Sequence, residues 1–353
     1  MIRERNCSQL SELSFPMADL DPAALEATHN LVRMTLSGYA PASYSLILPK
    51  GWVTEEDLGQ QNDGIGQLMR IGIFADKVGR DAMVVQVSMA RIPFEIDVED
   101  WLKEKAADFK TDFLYCKKQT FACGPVVDAG GVCGKESQQY VMRIVAHADA
   151  ARIFLVSTAT PLYRYEEEQN NVAIATNSFQ LLQPEGSTQL EQWLNTEGGD
   201  PSFRVAYPAT WVSRPVDKVV PGKSAVDIVL IQDDRLDGYL RVKATDTLLV
   251  GETSPGEALR LSGEELAEAD VSLTGIWMED EDAGIQGTEG VTLAYRASGR
   301  LHNQPVELRF GLLKRGSLLF ALTSISVPKA ENPVLWMRSK RAYEIALMTA
   351  RSS

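Results

Sequence analysis

The stretch Tyr44-Ser-Leu-Ile-Leu-Pro-Lys-Gly-Trp52 recurs 159 positions later as Phe203-Arg-Val-Ala-Tyr-Pro-Ala-Thr-Trp211. In both copies large apolar residues alternate (Tyr44, Leu46, Leu48; Phe203, Val205, Tyr207), the pattern of a strand with one buried face. A proline then removes a backbone donor and ends the pairing, and a tryptophan follows three residues on. The pattern predicts the opening strand of a domain built twice. At 353 residues the chain is long enough for two domains, each with its own core.

The recurrence extends past the opening. Arg143 and Arg309 stand 166 positions apart, as do Phe154 and Phe320, and the closing prolines Pro161 and Pro328 stand 167 apart. The offset therefore drifts by about seven residues, and the acidic run Glu279-Asp-Glu-Asp282 is a natural place for the insertion. Units of this length exceed the repeat of a solenoid, so the pattern reads as domain duplication. The expected organisation is an appendage over 1–38, a first repeat over 39–185, a linker over 186–200 and a second repeat over 201–353.

Within the appendage, Asp21-Pro22 reads as the cap and first turn of a helix running to about Leu36 and ended by Gly38. In the first repeat, strands are expected over 68–74, 82–92, 114–121, 125–132, 138–147 and 151–160, the last two forming a hairpin at Asp149-Ala150. Helical spacing begins at Val98 (Val98, Trp101, Leu102, Ala106, Phe109) and returns after Pro161 with Val172, Ala175, Phe179 and Leu182. Residues 183–200 have linker composition around an apolar island at Leu190, Trp193 and Leu194. The second repeat follows with strands at 225–232, 238–246, 271–278, 290–299, 304–314 and 317–326. One helix follows Pro255, and a last one follows Pro328 with Trp336, Tyr343, Leu347 and Ala350 on one face.

This order (aromatic strand, Pro-x-x-Trp, strands, helix, late meander, closing helix) resembles the PsbP-like fold. That fold is shared by an extrinsic subunit of the photosynthetic oxygen-evolving complex, a Ran-binding import factor and the bacterial DcrB family. Tyr44–Trp52 looks like its typical first strand, and Ser317-Leu-Leu-Phe-Ala-Leu-Thr-Ser324 like its typical finish. The resemblance spans 39–185 and 201–353. It implies an α+β chain of two tandem domains, each a mainly antiparallel sheet flanked by helices. It also implies a non-enzymatic role, since members of the fold are mostly assembly factors, extrinsic subunits and chaperones.

Charge narrows the partners. The formal net charge is −13, with −8 up to Glu185 and −5 beyond it, so neither half is a basic nucleic-acid module. The N-terminal residues lack the apolar run of a signal peptide, and no stretch is apolar for long enough to span a membrane. Four cysteines (Cys7, Cys116, Cys123, Cys133) at irregular spacing match no zinc or redox motif, which leaves a cytoplasmic protein with reduced thiols as the expectation.

Catalytic signatures are weak. Gly222-Lys223-Ser224 ends like a phosphate loop, but Asp217 stands where its first glycine belongs and strand residues follow. Gly130-Gly-Val-Cys-Gly134-Lys135 fails similarly and reads as a turn. Only three histidines exist (His29 in the first helix, His147 at a hairpin end, His302 in a turn), and no His lies near a Cys in sequence. Glu279–Asp282 reads as a solvated loop, and Glu166-Glu-Glu168 as carboxylates favoured in a helix first turn.

These features together lead to the expectation of a protein-binding adaptor, assembly factor or secretion-associated chaperone without cofactor or metal. The rival is a small-ligand binder or enzyme with an inter-domain site. The candidate partner-binding residues are Trp52 and Trp211, expected as core plugs unless exposed, and Arg338 and Arg341. With Lys340, these two arginines form a basic stripe on the last helix, read as a solvated face or a dock for an acidic partner.

Overall fold

A computed structural model describes residues 13–18, 21–36, 40–55, 65–135, 138–216, 220–280 and 290–353. The chain divides into two compact units, one of Met1–Pro93 with Val98–Leu190 and one of Phe94–Asp97 with Glu191–Ser353. Both are α+β, with antiparallel sheets.

In the first unit, the side chain of Asp21 accepts from the Ala23 N–H at 3.2 Å and starts α1 (Pro22–Glu26). Strands β1 (His29–Met34), β2 (Tyr44–Pro49) and β10 (Gln180–Leu181) form a small sheet in the order β1-β2-β10. The larger sheet comprises β3 (Val53–Glu55), β4 (Leu68–Ala75), β5 (Val84–Arg91), β6 (Thr111–Phe121), β7 (Gly124–Lys135), β8 (Gln138–Ala148) and β9 (Arg152–Pro161). Its order is β3-β4-β5-β9-β8-β7-β6. Helices α2 (Val98–Phe109) and α3 (Tyr165–Asn177) complete the unit. The alternating residues Tyr44, Leu46 and Leu48 pack with Phe74, Phe154 and Phe179 in its core. Phe179 lies just past the end of α3, and Leu182 is exposed.

The second unit takes the same path. Its small sheet is β11 (Trp193–Gly198), β12 (Phe203–Pro208) and β21 (Arg351–Ser352). Its large sheet comprises β13 (Val212–Pro215), β14 (Lys223–Gln232), β15 (Arg235–Asp246), β16 (Val271–Leu273), β18 (Val291–Leu301), β19 (Gln304–Arg315) and β20 (Leu318–Ser326). These run in the order β13-β14-β15-β20-β19-β18-β16, and a two-residue β17 (Met278–Glu279) also pairs β18. Between β15 and β16 lie α4 (Thr247–Val250) and α5 (Pro255–Glu268), and α6 (Pro333–Thr349) follows β20. Ser254 and Asn332 accept from the Glu257 and Leu335 N–H groups and cap α5 and α6, satisfying donors a helix start leaves free. Phe203, Val205 and Tyr207 join Phe320, Leu322 and Tyr343 in the core.

The offset read from the two arginines also holds for hydrogen-bond register. Arg143 on β8 faces Gly130 and Thr158; Arg309 on β19 faces Arg296 and Ser324, each 166 positions on.

Five of these expectations fail. The first helix stops at Glu26, and His29–Met34 is a strand paired antiparallel with β2 along its whole length. A six-rung ladder to the buried opening strand outweighs a marginal helical pattern. The supposed linker contains β11, which pairs with β12 from Trp193↔Pro208 to Gly198↔Phe203. Gly130-Gly131 lie inside β7, not in a turn, and the predicted strand over 271–278 survives only as its two short ends. Asp280 is buried, not solvated. Residues 56–64, Cys7, Gly38, Asp217 and residues 281–282 of the acidic run lie outside the described residues.

Candidate functional site

Strands β6, β7 and β8 of the first unit place Tyr115, Gly130 and Arg143 on one line of register, with Asp128 two residues from Gly130 on the same face. Arg143 donates to Asp128 through Nε at 3.0 Å and Nη2 at 2.9 Å, the fork geometry that suits a carboxylate. Tyr115 OH donates to the same carboxylate at 2.9 Å, and Gln119 Nε2 at 2.9 Å. The ion pair is fully buried, with side-chain exposures of 0% and 1%. Burial opposes the guanidinium's charge, but the bonds to Asp128 outweigh it and raise the Arg143 pKa. Burial, then the Asp128 charge, pushes the Tyr115 phenol well above its ordinary value, and burial takes Tyr165 up to about 12. Both phenols are therefore donors at neutral pH.

Over this cluster lies a strap, residues 13–18. Arg143 Nη1 donates to the Pro16 carbonyl at 2.7 Å, and Tyr165 OH to the Ser14 carbonyl at 2.7 Å. Phe15 sits between two rings, 4.8 Å from Tyr115 and 5.7 Å from Tyr165, both tilted. Gly130 makes the seat possible: a Cβ there would lie 2.5 Å from Tyr115 and 2.6 Å from Phe15. A glycine inside a strand often marks such a close approach. The groove thus holds a short segment by two main-chain carbonyls and one aromatic anchor.

At the matching register position of the second unit, Arg309 donates to Asp280 at 3.3 Å, pairs with Glu307 and stacks 5.0 Å from the Trp336 ring. Arg309 Nη1 and Asp280 Oδ1 are buried without a hydrogen-bond partner. A second Tyr-Asp-Arg cluster lies on β14 and β15. There Arg241 donates to Asp227 at 2.7 and 2.9 Å and Tyr239 OH joins at 2.9 Å, which raises the Arg241 pKa. It borders a cavity of about 440 Å³ between α5 and the sheet.

The residues singled out from sequence sit elsewhere. Trp211 is 2% exposed in the core and Trp52 is half-buried against its own core, so both serve packing. The basic stripe is not a solvated helix face. Arg338 is buried, stacks 4.7 Å over Phe94 and donates to Thr210 Oγ1 at 3.1 Å; burial lowers its pKa. Arg341 meets Glu95 at 3.2 Å and Glu344 at 3.4 Å and lies over Trp193. The acids of this stripe are the chain's own: Glu95 and Glu344 meet Arg341, and Glu344 also meets Lys340, so α6 is covered on the side that its sequence pattern leaves polar.

Folding also brings together Cys123 and His147, with Sγ 3.6 Å from Nδ1. This pairing had no signal in sequence spacing. Burial raises the thiol pKa and lowers the imidazole's to about 4, so both are neutral at pH 7. A thiolate–imidazolium nucleophile needs the opposite shifts. Among the described residues, no group of three or more His, Cys, Asp or Glu is placed to hold a metal ion, and no helix is long and apolar enough to cross a membrane.

No family model and no curated protein matches the chain. Among solved structures it is similar to cyanobacterial PsbP (CyanoP) from Synechocystis sp. PCC 6803, at 13% identity over 49% of this chain and 99% of that one, with a TM-score of 0.29. The type VI secretion immunity protein TplEi from Pseudomonas aeruginosa matches at 10% identity over 86% and 97%, with a TM-score of 0.21. A chain of the Tle4–Tli4 complex matches at 8% identity over 91% and 97%, with a TM-score of 0.22. Overlaps this loose assign no activity to the chain.

Proposed function

We propose that this protein is a non-enzymatic protein-binding adaptor, assembly factor or secretion-associated chaperone, built as two PsbP-like domains in tandem. The observation that carries the reading is the strapped groove, which already seats a short segment through carbonyls and an aromatic ring, the chemistry of a peptide-recognition site. The shared strand path and the preserved register of Arg143 and Arg309 support duplication. The neutral Cys123–His147 pair supports the non-enzymatic reading.

The test uses the full chain carrying Phe15→Ala, which loosens the strap, titrated with a labelled peptide Glu-Leu-Ser-Phe-Pro-Met-Ala. Saturable binding that Gly130→Val abolishes is expected. No binding, or binding indifferent to Gly130→Val, removes the groove as a docking site and the reading with it.

A further inference from the structure

The sheet-facing side of α5 carries no aromatic residue. Its buried positions are Ala258, Ser262 and Leu266, whereas α2 in the first unit buries Trp101 and Leu102. Ser262 and Ala269 are the short side chains this segment turns toward a cavity of about 440 Å³, within the range of small-molecule sites. Its apolar lining includes Leu266, Val271, Leu301, Val306 and Ile325.

The charges that border it are already matched. Of the lining residues, Arg241 is committed to Asp227 by two hydrogen bonds and Asp237 pairs with Arg235, while Glu265 takes Lys243, from outside the lining, with both oxygens at 2.7 Å. A ligand anion would find neither cation open to it and would lose its hydration. His302 also lines the cavity but is exposed to solvent, and among the buried lining residues one polar function is left over. Ser262 and Thr323, 1% and 5% exposed, share a hydrogen bond of 2.8 Å between their hydroxyls. Two hydroxyls bring two hydrogens and that bond uses one, so whichever oxygen accepts keeps its own hydrogen to donate.

We propose that the second unit carries a binding site for a neutral, largely apolar small molecule with one acceptor oxygen, seated between α5 and the sheet with that oxygen at the Ser262–Thr323 pair. This site is independent of the strapped groove, which lies in the other unit.

The full chain is titrated with Nile red, a neutral apolar dye with a ring carbonyl. Saturable single-site binding with blue-shifted emission is expected. Ala269→Trp, at the exposed end of α5 on the cavity mouth, should weaken it by about tenfold or more through steric exclusion from the pocket. Dodecanol should displace the dye, and dodecanoate should do so at least about tenfold less well, because its charge must be buried unpaired. The double variant Ser262→Ala/Thr323→Val should weaken the dye by about fivefold, the worth of one hydrogen bond. It also provides the reading if Ala269→Trp lowers the melting temperature. Absence of saturable binding, indifference to both variants, or equal displacement by alcohol and carboxylate would each overturn the proposal.

Discussion

At one step of the strand path both units bury an arginine, and they complete its surroundings in opposite ways. In the first unit Arg143 faces Gly130, and Asp128 on the same strand supplies the carboxylate. The missing side chain at Gly130 leaves a floor on which Phe15 and Tyr115 lie, so a separate piece of chain finishes the site. In the second unit Arg309 faces Arg296, and the position 166 beyond Asp128 is Ala294. The acid comes instead from Asp280, whose N–H bonds to the Ala294 carbonyl from beyond β17. The cross-strand residue differs: a glycine opposite the arginine leaves room for Phe15 in the first unit, and a second arginine stands at that register position in the second.

The largest expected effect tests this contrast directly. Arg143→Met leaves Asp128 buried beside uncharged atoms and should destabilise the first unit by about 3–5 kcal/mol in urea unfolding. Arg309→Met should cost less, about 1–3 kcal/mol, because that pair already leaves Nη1 and one Asp280 oxygen without partners. Equal losses would erase the distinction between a completed pair and an incomplete one.

Next comes acid. Burial lowers the His147 pKa from 6.5 to about 4 in the folded first unit. Between those values the unfolded chain takes up a proton that the folded one refuses. The contribution is therefore fully present above pH ~6.5 and is lost as pH falls toward 4, by about 3 kcal/mol in all. Urea midpoints compared between pH 7 and pH 4.5 should fall more steeply for the native chain than for His147→Gln. Parallel slopes would show that His147 is not what makes the first unit acid-sensitive.

Smallest is the strap. Phe15→Ala removes one half-buried ring from between two tyrosines, worth about 1–2 kcal/mol. Limited proteolysis should cut within 13–18 sooner in this variant, while fragments of 191–353 appear at an unchanged rate. Unaltered cleavage would mean that Phe15 does not anchor the strap.

Much of the architecture was legible because it rests on local pattern. Alternation at Tyr44–Leu48 and Phe203–Tyr207, the hairpin at Asp149-Ala150 and the helix that follows Pro255 are set by residues close in sequence. His29–Met34 was misread for the complementary reason: its conformation depends on a ladder to β2, and a six-residue segment with mixed spacing carries no sign of that partner. The groove was hidden in the same way. Gly130 looked like part of a failed phosphate loop, and its role as a seat for Phe15 needs 115 residues of chain folded between them.

The sequence by itself determined that a strand opening ending in Pro-x-x-Trp is used twice, and that the offset between Arg143 and Arg309 is constant enough to carry register. Side-chain periodicity and proline chemistry act over a few residues, so they are written into the string. Which side of each arginine is open, which tryptophan is buried and which acid meets Arg341 were decided only in the tertiary structure. Burial and pairing are properties of what distant strands bring alongside, and Trp52 and Trp211 mark the two openings while the groove lies over β6, β7 and β8.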